Sequence, residues 1–204
     1  MDGLALGAVV LAGGRAARLG GIDKPGLEVG GRPLVAAVVA AAQSAGAAPI
    51  VVVGPEYAGL PARFVREDPP GAGPFAALRC GLDELAGGGD EPGWIAVLAA
   101  DLPFLRAAHL RELLAAAVGR NGAVLADDQG CPQWLIGCWD RRALSAAAAG
   151  YTGASLRGLM TPLDPAQVAI GPAPGEPPPW LDCDTGADLR QAREWPGTTT
   201  FSSG

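Results

Sequence analysis

The sequence predicts a three-layer α/β/α fold built around a mostly parallel, Rossmann-like sheet. Short apolar runs alternate with alanine-rich stretches of helical length, which is the pattern of parallel α/β proteins. Some of these runs, such as 50–53, are apolar at every position, as expected for strands covered on both faces. With 204 residues, 49% of them hydrophobic and 18% charged, the chain is long enough for one substantial folded domain.

The predicted elements alternate along most of the chain. Strands are predicted at 7–12, 50–53, 63–66, 94–99, 122–126 and 134–139, the last of them antiparallel or at a sheet edge. Helices are predicted at 33–43, where Pro33 suits the first turn, and at 74–85, 107–118, 140–148, 153–159 and 184–193. Five prolines in 171–179 indicate an extended surface loop. We expect one domain over 1–196 and a disordered tail over 197–204.

Charge and composition exclude several classes of function. The formal net charge is -6, from 15 Lys and Arg against 21 Asp and Glu, which argues against nonspecific binding to nucleic acid. The four cysteines form no C-x-x-C pair and His109 is the sole histidine, so we expect buried, reduced thiols and no zinc site. Because there is no signal segment and no apolar run of about 18 residues, we expect a soluble, cytoplasmic protein that does not bind membranes.

The stretch 8–27, which reads AVVLAGGRAARLGGIDKPGL, is the strongest functional signal. An apolar strand runs into Gly13 and Gly14, and glycines let backbone N–H groups turn towards an anion. Arg18 and Lys24 add positive charge beside that concavity, so the loop predicts a nucleoside triphosphate site. The plainer interpretation is an ordinary glycine-rich loop with solvated basic residues.

Two better-known phosphate loops do not fit this stretch. The dinucleotide pattern G-x-G-x-x-G fails because Arg15 stands where the second glycine belongs. The P-loop pattern fails because Lys24 is followed by Pro25 rather than by Ser or Thr. What remains is a separate pattern, L-A-G-G-x-x-x-R-L-G-G-x-D-K.

Acidic residues follow two predicted strands, at the edge where parallel sheets bind ligands. Asp101 stands at the exit of 94–99 and is predicted to bind Mg²⁺, which usually takes one or two carboxylates plus substrate phosphates. A helix N-cap is the alternative, although Asp101 lies several residues early for it. Asp68 follows 63–66 and is predicted to bind a base or ribose, or else to be a turn residue before Pro69.

Two more carboxylates, Asp182 and Asp184, flank Cys183. In an extended segment both lie on one side, where one could supply a second metal ligand. Asp184 equally fits a helix cap, because D-T-G-A-D precedes a predicted helix. Arg157 could reach an anionic substrate or simply be solvated.

The glycine-rich loop and the acidic segments occur in the order found in the molybdenum cofactor guanylyltransferases, and the chain resembles that family. Its members are molybdopterin nucleotidyltransferases of the nucleotide-diphospho-sugar transferase superfamily. The resemblance runs from about residue 7 to 194 and is carried by LAGGRAARLGGIDK, EDPPGAGPFAAL, ADLPFL, CPQWLIGCW and DCDTGADL. LAGG rather than LAAG looks more like the guanylyl than the cytidylyl branch.

The resemblance implies a nucleotidyltransferase fold and transfer of GMP from GTP to the phosphate of molybdopterin, with magnesium as cofactor and pyrophosphate as product. Molybdoenzymes or other cofactor-biosynthesis proteins would be its protein partners. The implied nucleotide contacts are Leu11, Ala12, Gly13, Gly14, Lys24, Asp68 and Asp101. The catalytic residues would be Lys24, Arg18 and Asp101, and the metal ligands Asp101 and, as the second candidate, Asp184.

Some positions depart from the family. Gly54 stands where many members have Asn, Ala100 replaces a Cys or acidic residue, and Asp182 and Asp184 replace asparagines of N-x-N-T-P-E. The metal geometry at Asp184 therefore stays open. Alternative functions are CMP transfer to molybdopterin, nucleotidyl transfer to another phosphorylated acceptor such as a sugar phosphate, and a noncatalytic nucleotide- or cofactor-carrier protein.

Overall fold

The computed structural model describes residues 4–13, 24–87, 91–172 and 174–195. The strands are β1 (Leu6–Leu11), β2 (Glu28–Val29), β3 (Arg32–Pro33), β4 (Ala47–Val53), β5 (Arg63–Val65), β6 (Trp94–Ala99), β7 (Gly122–Ala126), β8 (Pro132–Asp140) and β9 (Ala166–Ala169). Seven of them form one sheet in the order β5-β4-β1-β6-β8-β7-β9, and β2 and β3 form a separate hairpin. Only β8 is antiparallel to its neighbours in the large sheet, so the predicted mostly parallel sheet is confirmed.

Helices cover both faces of this sheet and complete the three layers. They are α1 (Leu34–Ser44), α2 (Pro74–Ala86), α3 (Ala107–Ala117), α4 (Arg141–Gly150), α5 (Leu156–Met160) and α6 (Gly186–Glu194). One face carries α1 and α3, the other carries α2, α4 and α5, and α6 packs against β2. Within the described ranges, no helix has the length and apolarity that a bilayer crossing requires.

The sequence of β1 explains why helices lie on both sides. All six of its residues are buried. Ala8 and Val10 enter one hydrophobic cluster, and Val9 and Leu11 enter the other, because successive side chains of a strand point to opposite faces. A strand of this kind needs cover on both faces, which fixes it near the centre of the sheet.

The structure corrects several element boundaries. The predicted strand 50–53 begins at Ala47, and the helix predicted at 153–159 begins only at Leu156, where the Ser155 hydroxyl accepts a hydrogen bond from Gly158 N at 3.1 Å. The hairpin of β2 and β3 and the edge strand β9 were not predicted. β8 lies between β6 and β7 and is antiparallel to both, so the antiparallel alternative predicted for it is confirmed and the edge alternative is not. The predicted tail, 197–204, lies outside the described residues.

The cysteines match the expectation only in part. All four are free, and Cys138 and Cys183 are buried. Burial raises the pKa of the Cys138 thiol to about 12. Cys80 is half-buried, however, and Cys131 is exposed, so the expectation of buried thiols is wrong for Cys131.

Candidate active site

The side chains of Lys24, Asp101 and Asp184 meet at the edge of the sheet where β6 ends. Lys24 Nζ donates hydrogen bonds to Asp101 Oδ2 and, at 2.5 Å, to Asp184 Oδ1. The side chains of Lys24 and Asp101 are 18% and 19% exposed, and that of Asp184 is 50% exposed. One ammonium group thus bridges two carboxylates that are far apart in the sequence.

The surroundings of Lys24 keep it charged. Burial by itself lowers the pKa of this ammonium group. The charge and hydrogen bond of Asp101, followed by those of Asp184, outweigh burial and raise the pKa above its ordinary value. Lys24 is therefore a fixed positive charge at neutral pH.

Backbone hydrogen bonds hold Asp101 at the exit of β6. Ala100 N donates to Leu11 O at 3.1 Å, and Asp101 O accepts from Cys183 N at 3.3 Å. The N-cap of α3 is Arg106, so the structure excludes the alternative of Asp101 as a helix cap. The Asp101 carboxylate is instead bonded to Lys24.

The structure excludes the interpretation of Asp184 as a helix cap. The cap of α6 is Thr185, whose hydroxyl accepts from Asp188 N at 3.2 Å, while Asp188 Oδ2 accepts from Thr185 N at 2.6 Å. Asp184 does not cap the helix, and its carboxylate accepts the hydrogen bond from Lys24. Cys183 is buried while Asp182 and Asp184 are exposed, so the predicted alternation of side chains is confirmed.

The carboxylates of Asp101 and Asp184 fit a divalent cation of the magnesium type. They already hold one cation, the Lys24 ammonium, between them. In the described part of the chain, no group of three or more His, Cys, Asp or Glu could hold a metal alone. Mg²⁺ usually takes one or two protein carboxylates and completes its shell with phosphate oxygens and water, so this donor set suits it.

A third carboxylate adds negative charge beside the pair. The pKa of Asp182 is raised, first by desolvation and then by the negative charges of Asp184 and Asp101. The positive charge of Lys24 opposes that shift. In the described part of the chain, negative charge is therefore concentrated around the Lys24 ammonium group.

The start of the glycine-rich loop packs closely against β4. Leu11 and Ala12 are buried, Gly13 is exposed, and Ala12 N donates to Val53 O at 2.9 Å. A Cβ at Gly54 would lie 2.9 Å from the carbonyl carbon of Ala12. A side chain at position 54 would therefore displace the start of the loop. Gly14 and Arg18, both predicted site residues, lie outside the described residues.

Asp68 lies at the same edge of the sheet but apart from the cluster. It is exposed, three residues beyond β5, and within the described ranges no hydrogen bond or ion pair joins it to another predicted site residue. Arg157 is also exposed, on α5. The structure thus brings Lys24, Asp101 and Asp184 into contact, and within the described ranges it shows no hydrogen bond or ion pair between them and Asp68 or Arg157.

Sequence reasoning missed Glu67, the neighbour of Asp68. It is 8% exposed and is the only buried charged residue in the described part of the chain. Its Oε1 accepts a hydrogen bond from Gly71 N at 2.9 Å, and its carboxylate lies against Gly13. No local pattern indicates which of two adjacent acidic residues turns inwards, so the sequence alone could not find it.

Comparison with known proteins agrees with this geometry. Residues 8–168 match the family described as the MobA-like NTP transferase domain. The chain belongs to that family. It is therefore a nucleotidyltransferase, and the family resemblance noted from the glycine-rich loop and the strand exits is confirmed.

Individual relatives of this MobA-like NTP transferase extend the match. The chain is 31% identical over 194 residues to a molybdenum cofactor guanylyltransferase of Bradyrhizobium sp. (strain ORS 278), covering 90% of each chain. It is 37% identical over 124 residues to a probable molybdenum cofactor guanylyltransferase of Opitutus terrae, covering 59% of this chain and 60% of that protein. The crystal structure of molybdopterin-guanine dinucleotide biosynthesis protein A from Archaeoglobus fulgidus shares the fold, with a TM-score of 0.67 and 17% identity over 92% of this chain and 96% of that one.

Proposed function

We propose that this nucleotidyltransferase transfers GMP from GTP to the phosphate of molybdopterin and releases pyrophosphate. The observation that carries the proposal is the cluster of Lys24, Asp101 and Asp184 beside the glycine-rich loop. Relatives named as molybdenum cofactor guanylyltransferases support both the nucleotide and the acceptor. LAGG at residues 11–14, in place of LAAG, further favours GTP over CTP.

The reaction asks little covalent chemistry of the protein. An oxygen of the molybdopterin phosphate attacks the α-phosphorus of GTP, a new P–O bond forms, and the bond from the α-phosphorus to the bridging oxygen breaks with pyrophosphate as leaving group. No nucleophilic side chain is required. Catalysis then comes from holding the two phosphates in line and offsetting their charge, as in phosphoryl transfer in general.

The residues of the site divide this task. Lys24 and Arg18 offset the negative charge of the triphosphate, and the backbone of Leu11, Ala12 and Gly13 lies against the nucleotide. Asp101, with Asp184, would hold magnesium, which supplies additional positive charge to the phosphate oxygens. Lys24 has to release a carboxylate when a metal ion takes its place, and its ammonium group is then available to the phosphates. Asp68 binds the ribose or the base.

Pyrophosphate release tests the proposal directly. The purified protein is incubated with molybdopterin and Mg²⁺ and with GTP, CTP or ATP in separate reactions. We expect magnesium-dependent release with GTP and a kcat/KM at least about tenfold lower with CTP and ATP, because mispairing a buried polar group costs about 1–3 kcal/mol. Equal kcat/KM for GTP and CTP would exclude the guanylyl assignment.

Two further measurements distinguish the proposed function from its alternatives. Turnover with a sugar 1-phosphate but not with molybdopterin would assign a different acceptor. Tight binding of GTP, with no pyrophosphate released from it in the presence of either acceptor, would favour a carrier protein. The paired Lys24 and Asp101 argue against that alternative.

A further inference from the structure

Tyr151 joins the loop between α4 and α5 to the start of α2. Its ring lies edge-on against the ring of Phe75, with the ring centroids 5.0 Å apart and the ring planes at 83°. This is the arrangement that aromatic pairs prefer, because the positive edge of one ring meets the negative face of the other. Phe75 is the second residue of α2, which follows the glycines of the segment 71–73. A specific contact therefore links two segments that are far apart in the sequence.

The loop after α4 closes around the hydroxyl group of the same tyrosine. Tyr151 Oη donates a hydrogen bond to Ser155 O at 3.0 Å. A Cβ on Gly153 or on Gly158 would overlap this hydroxyl group, so the absence of side chains at both positions leaves room for it. One phenol ring thus determines the shape of the loop 152–155 and also its distance from α2.

The chain topology puts this contact at the edge of the sheet that carries the candidate active site. β5 is parallel to β4, β1 and β6, so α2 begins at the edge where β6 ends and Asp101 follows. β8 is antiparallel to β6, and its last residue, Asp140, pairs with Trp94, the first residue of β6. α4 therefore starts at the opposite edge and runs back to the site, where Tyr151 follows its last residue.

The order of the strands indicates which substrate the loop 152–155 is near. β1 and β4, whose ends carry Gly13 and Gly54, lie on one side of β6, and β8 lies on the other side. α5, which follows the loop, packs against β8 and α2, and all four residues of the loop are exposed. In the proposed reaction the nucleotide lies over β1 and β4. An in-line attack on its α-phosphorus needs the acceptor beside it, and the β8 side is the one that the nucleotide leaves open.

We propose that Tyr151 is a positioning residue for the acceptor, because it holds the loop 152–155 on the β8 side of the site at a set distance from α2. The inference rests on the proposed nucleotidyl transfer and adds the segment that faces the acceptor. Tyr151 touches neither substrate. Without its hydroxyl group the loop loses the bond that closes it, so the acceptor has to order the loop when it binds, whereas the nucleotide does not.

Steady-state kinetics of pyrophosphate release test this separation of the two substrates. In Tyr151→Phe we expect the KM for molybdopterin to rise about fivefold, the effect of one lost hydrogen bond, while kcat and the KM for GTP stay within about twofold of wild type. Tyr151→Leu also loses the contact with Phe75 and should raise the KM for molybdopterin further. Tyr57→Phe, at the other tyrosine of the chain, is the matched control and should leave that KM within about twofold.

The kinetic result can overturn the proposal in two ways. An unchanged KM for molybdopterin in both Tyr151 variants would show that the tyrosine does not position the acceptor. An equal rise in the KM for GTP and for molybdopterin would show a general loss of structure instead, and circular dichroism with thermal unfolding checks the fold. A wild type that releases no pyrophosphate from GTP and molybdopterin contradicts the proposed function itself, whereas normal turnover in the Tyr151 variants contradicts only the role of Tyr151.

A second measurement needs no turnover. The chain has two tyrosines, so protein labelled with 3-fluorotyrosine has one ¹⁹F resonance from each, and Tyr57→Phe assigns them. The protein is first saturated with a GTP analogue in which a methylene group replaces the α,β-bridging oxygen, and molybdopterin is then added. We expect molybdopterin to shift the Tyr151 resonance and to leave that of Tyr57 in place. A Tyr151 resonance that does not move when calorimetry shows molybdopterin to be bound would overturn the proposal.

Discussion

At the scale of single residues, the charge balance of the site depends on Lys24. Two carboxylates, Asp101 and Asp184, lie close enough to share its ammonium group. Without a cation between them they would repel each other, so Lys24 keeps the site assembled before any ligand arrives. The same group is placed to meet the triphosphate, which makes it a structural and a catalytic cation in turn.

Lys24→Ala should lose most activity while the fold survives. Loss of one preorganised charge that stabilises the transition state typically costs about 3 kcal/mol, or about a hundredfold in kcat. Pyrophosphate release measures the rate, and circular dichroism with thermal unfolding checks the fold. Turnover within about twofold of wild type would show that the assigned role is wrong.

The Lys24→Met variant should bind Mn²⁺ more tightly than wild type does when no nucleotide is present. In wild type a metal ion has to displace the ammonium group from both carboxylates, and an ion pair of this kind is worth up to about 1 kcal/mol, or about fivefold in affinity. Titration calorimetry with Mn²⁺ alone measures the difference. Lys24→Arg, which keeps the charge, is the control, and an unchanged affinity in Lys24→Met would mean that metal and lysine do not share the site.

The two predicted metal ligands should not contribute equally. Asp101 is mostly buried and anchored at the end of a strand, whereas Asp184 is half-exposed on a segment before α6. We expect Asp101→Asn to abolish magnesium-dependent turnover, and Asp184→Asn to reduce it by a smaller factor because the main ligand remains. Activity titrated with Mg²⁺ and calorimetry with nucleotide present compare the two variants. A complete loss in Asp184→Asn would make both carboxylates equal ligands.

At the scale of elements, the site depends on how closely α2 lies on the sheet. Gly81 is in the middle of this helix, and a Cβ there would lie 2.5 Å from Val9 Cγ1 and 3.1 Å from Val53 Cγ2. The absence of a side chain lets the helix approach β1 and β4, the strands whose ends carry the nucleotide loop and Gly54. Gly81 therefore allows the helix to pack closely on the sheet, and it does not interrupt the helix.

Gly81→Ala should destabilise the protein, although alanine is favoured over glycine inside an isolated helix by about 1 kcal/mol. The added methyl overlaps a stiff valine in a packed core, and overpacking of this kind costs about 1–3 kcal/mol. Chemical denaturation measures the free energy of unfolding. In a Val9→Ala background the penalty should largely disappear, so a double-mutant cycle isolates the contact. A higher stability of Gly81→Ala in the wild-type background would contradict the close packing.

At the scale of the whole molecule, sequence patterns predicted the parts that depend on strand periodicity. Fully apolar runs identified β1 and β6, and the rule that ligands bind at strand ends brought Asp101 and Lys24 to one edge, where they are in contact. The same reasoning missed β9, whose four residues, AQVA, carry no distinctive pattern. It also missed Glu67, because the inward turn of this side chain depends on Gly13, which only the tertiary fold brings near.

Ligand binding should stabilise the whole molecule in a way that reports both nucleotide and metal. Mg²⁺ alone should raise the melting temperature little, because Lys24 already occupies the two carboxylates. GTP attracts the ammonium group towards its phosphates, so binding of GTP should favour binding of Mg²⁺ to the two carboxylates.

The expected size of the stabilisation follows from mass action. At a ligand concentration of about 100 times Kd the folded state gains about 2.7 kcal/mol, which corresponds to an increase of about 5–10 °C in Tm for a chain of this size. CTP and ATP with Mg²⁺ should give smaller shifts, and Asp101→Asn should reduce the shift with GTP and Mg²⁺ to that with GTP alone. A shift with Mg²⁺ alone as large as that with GTP and Mg²⁺ would show that the metal binds independently of the nucleotide and that Lys24 does not stand in its place.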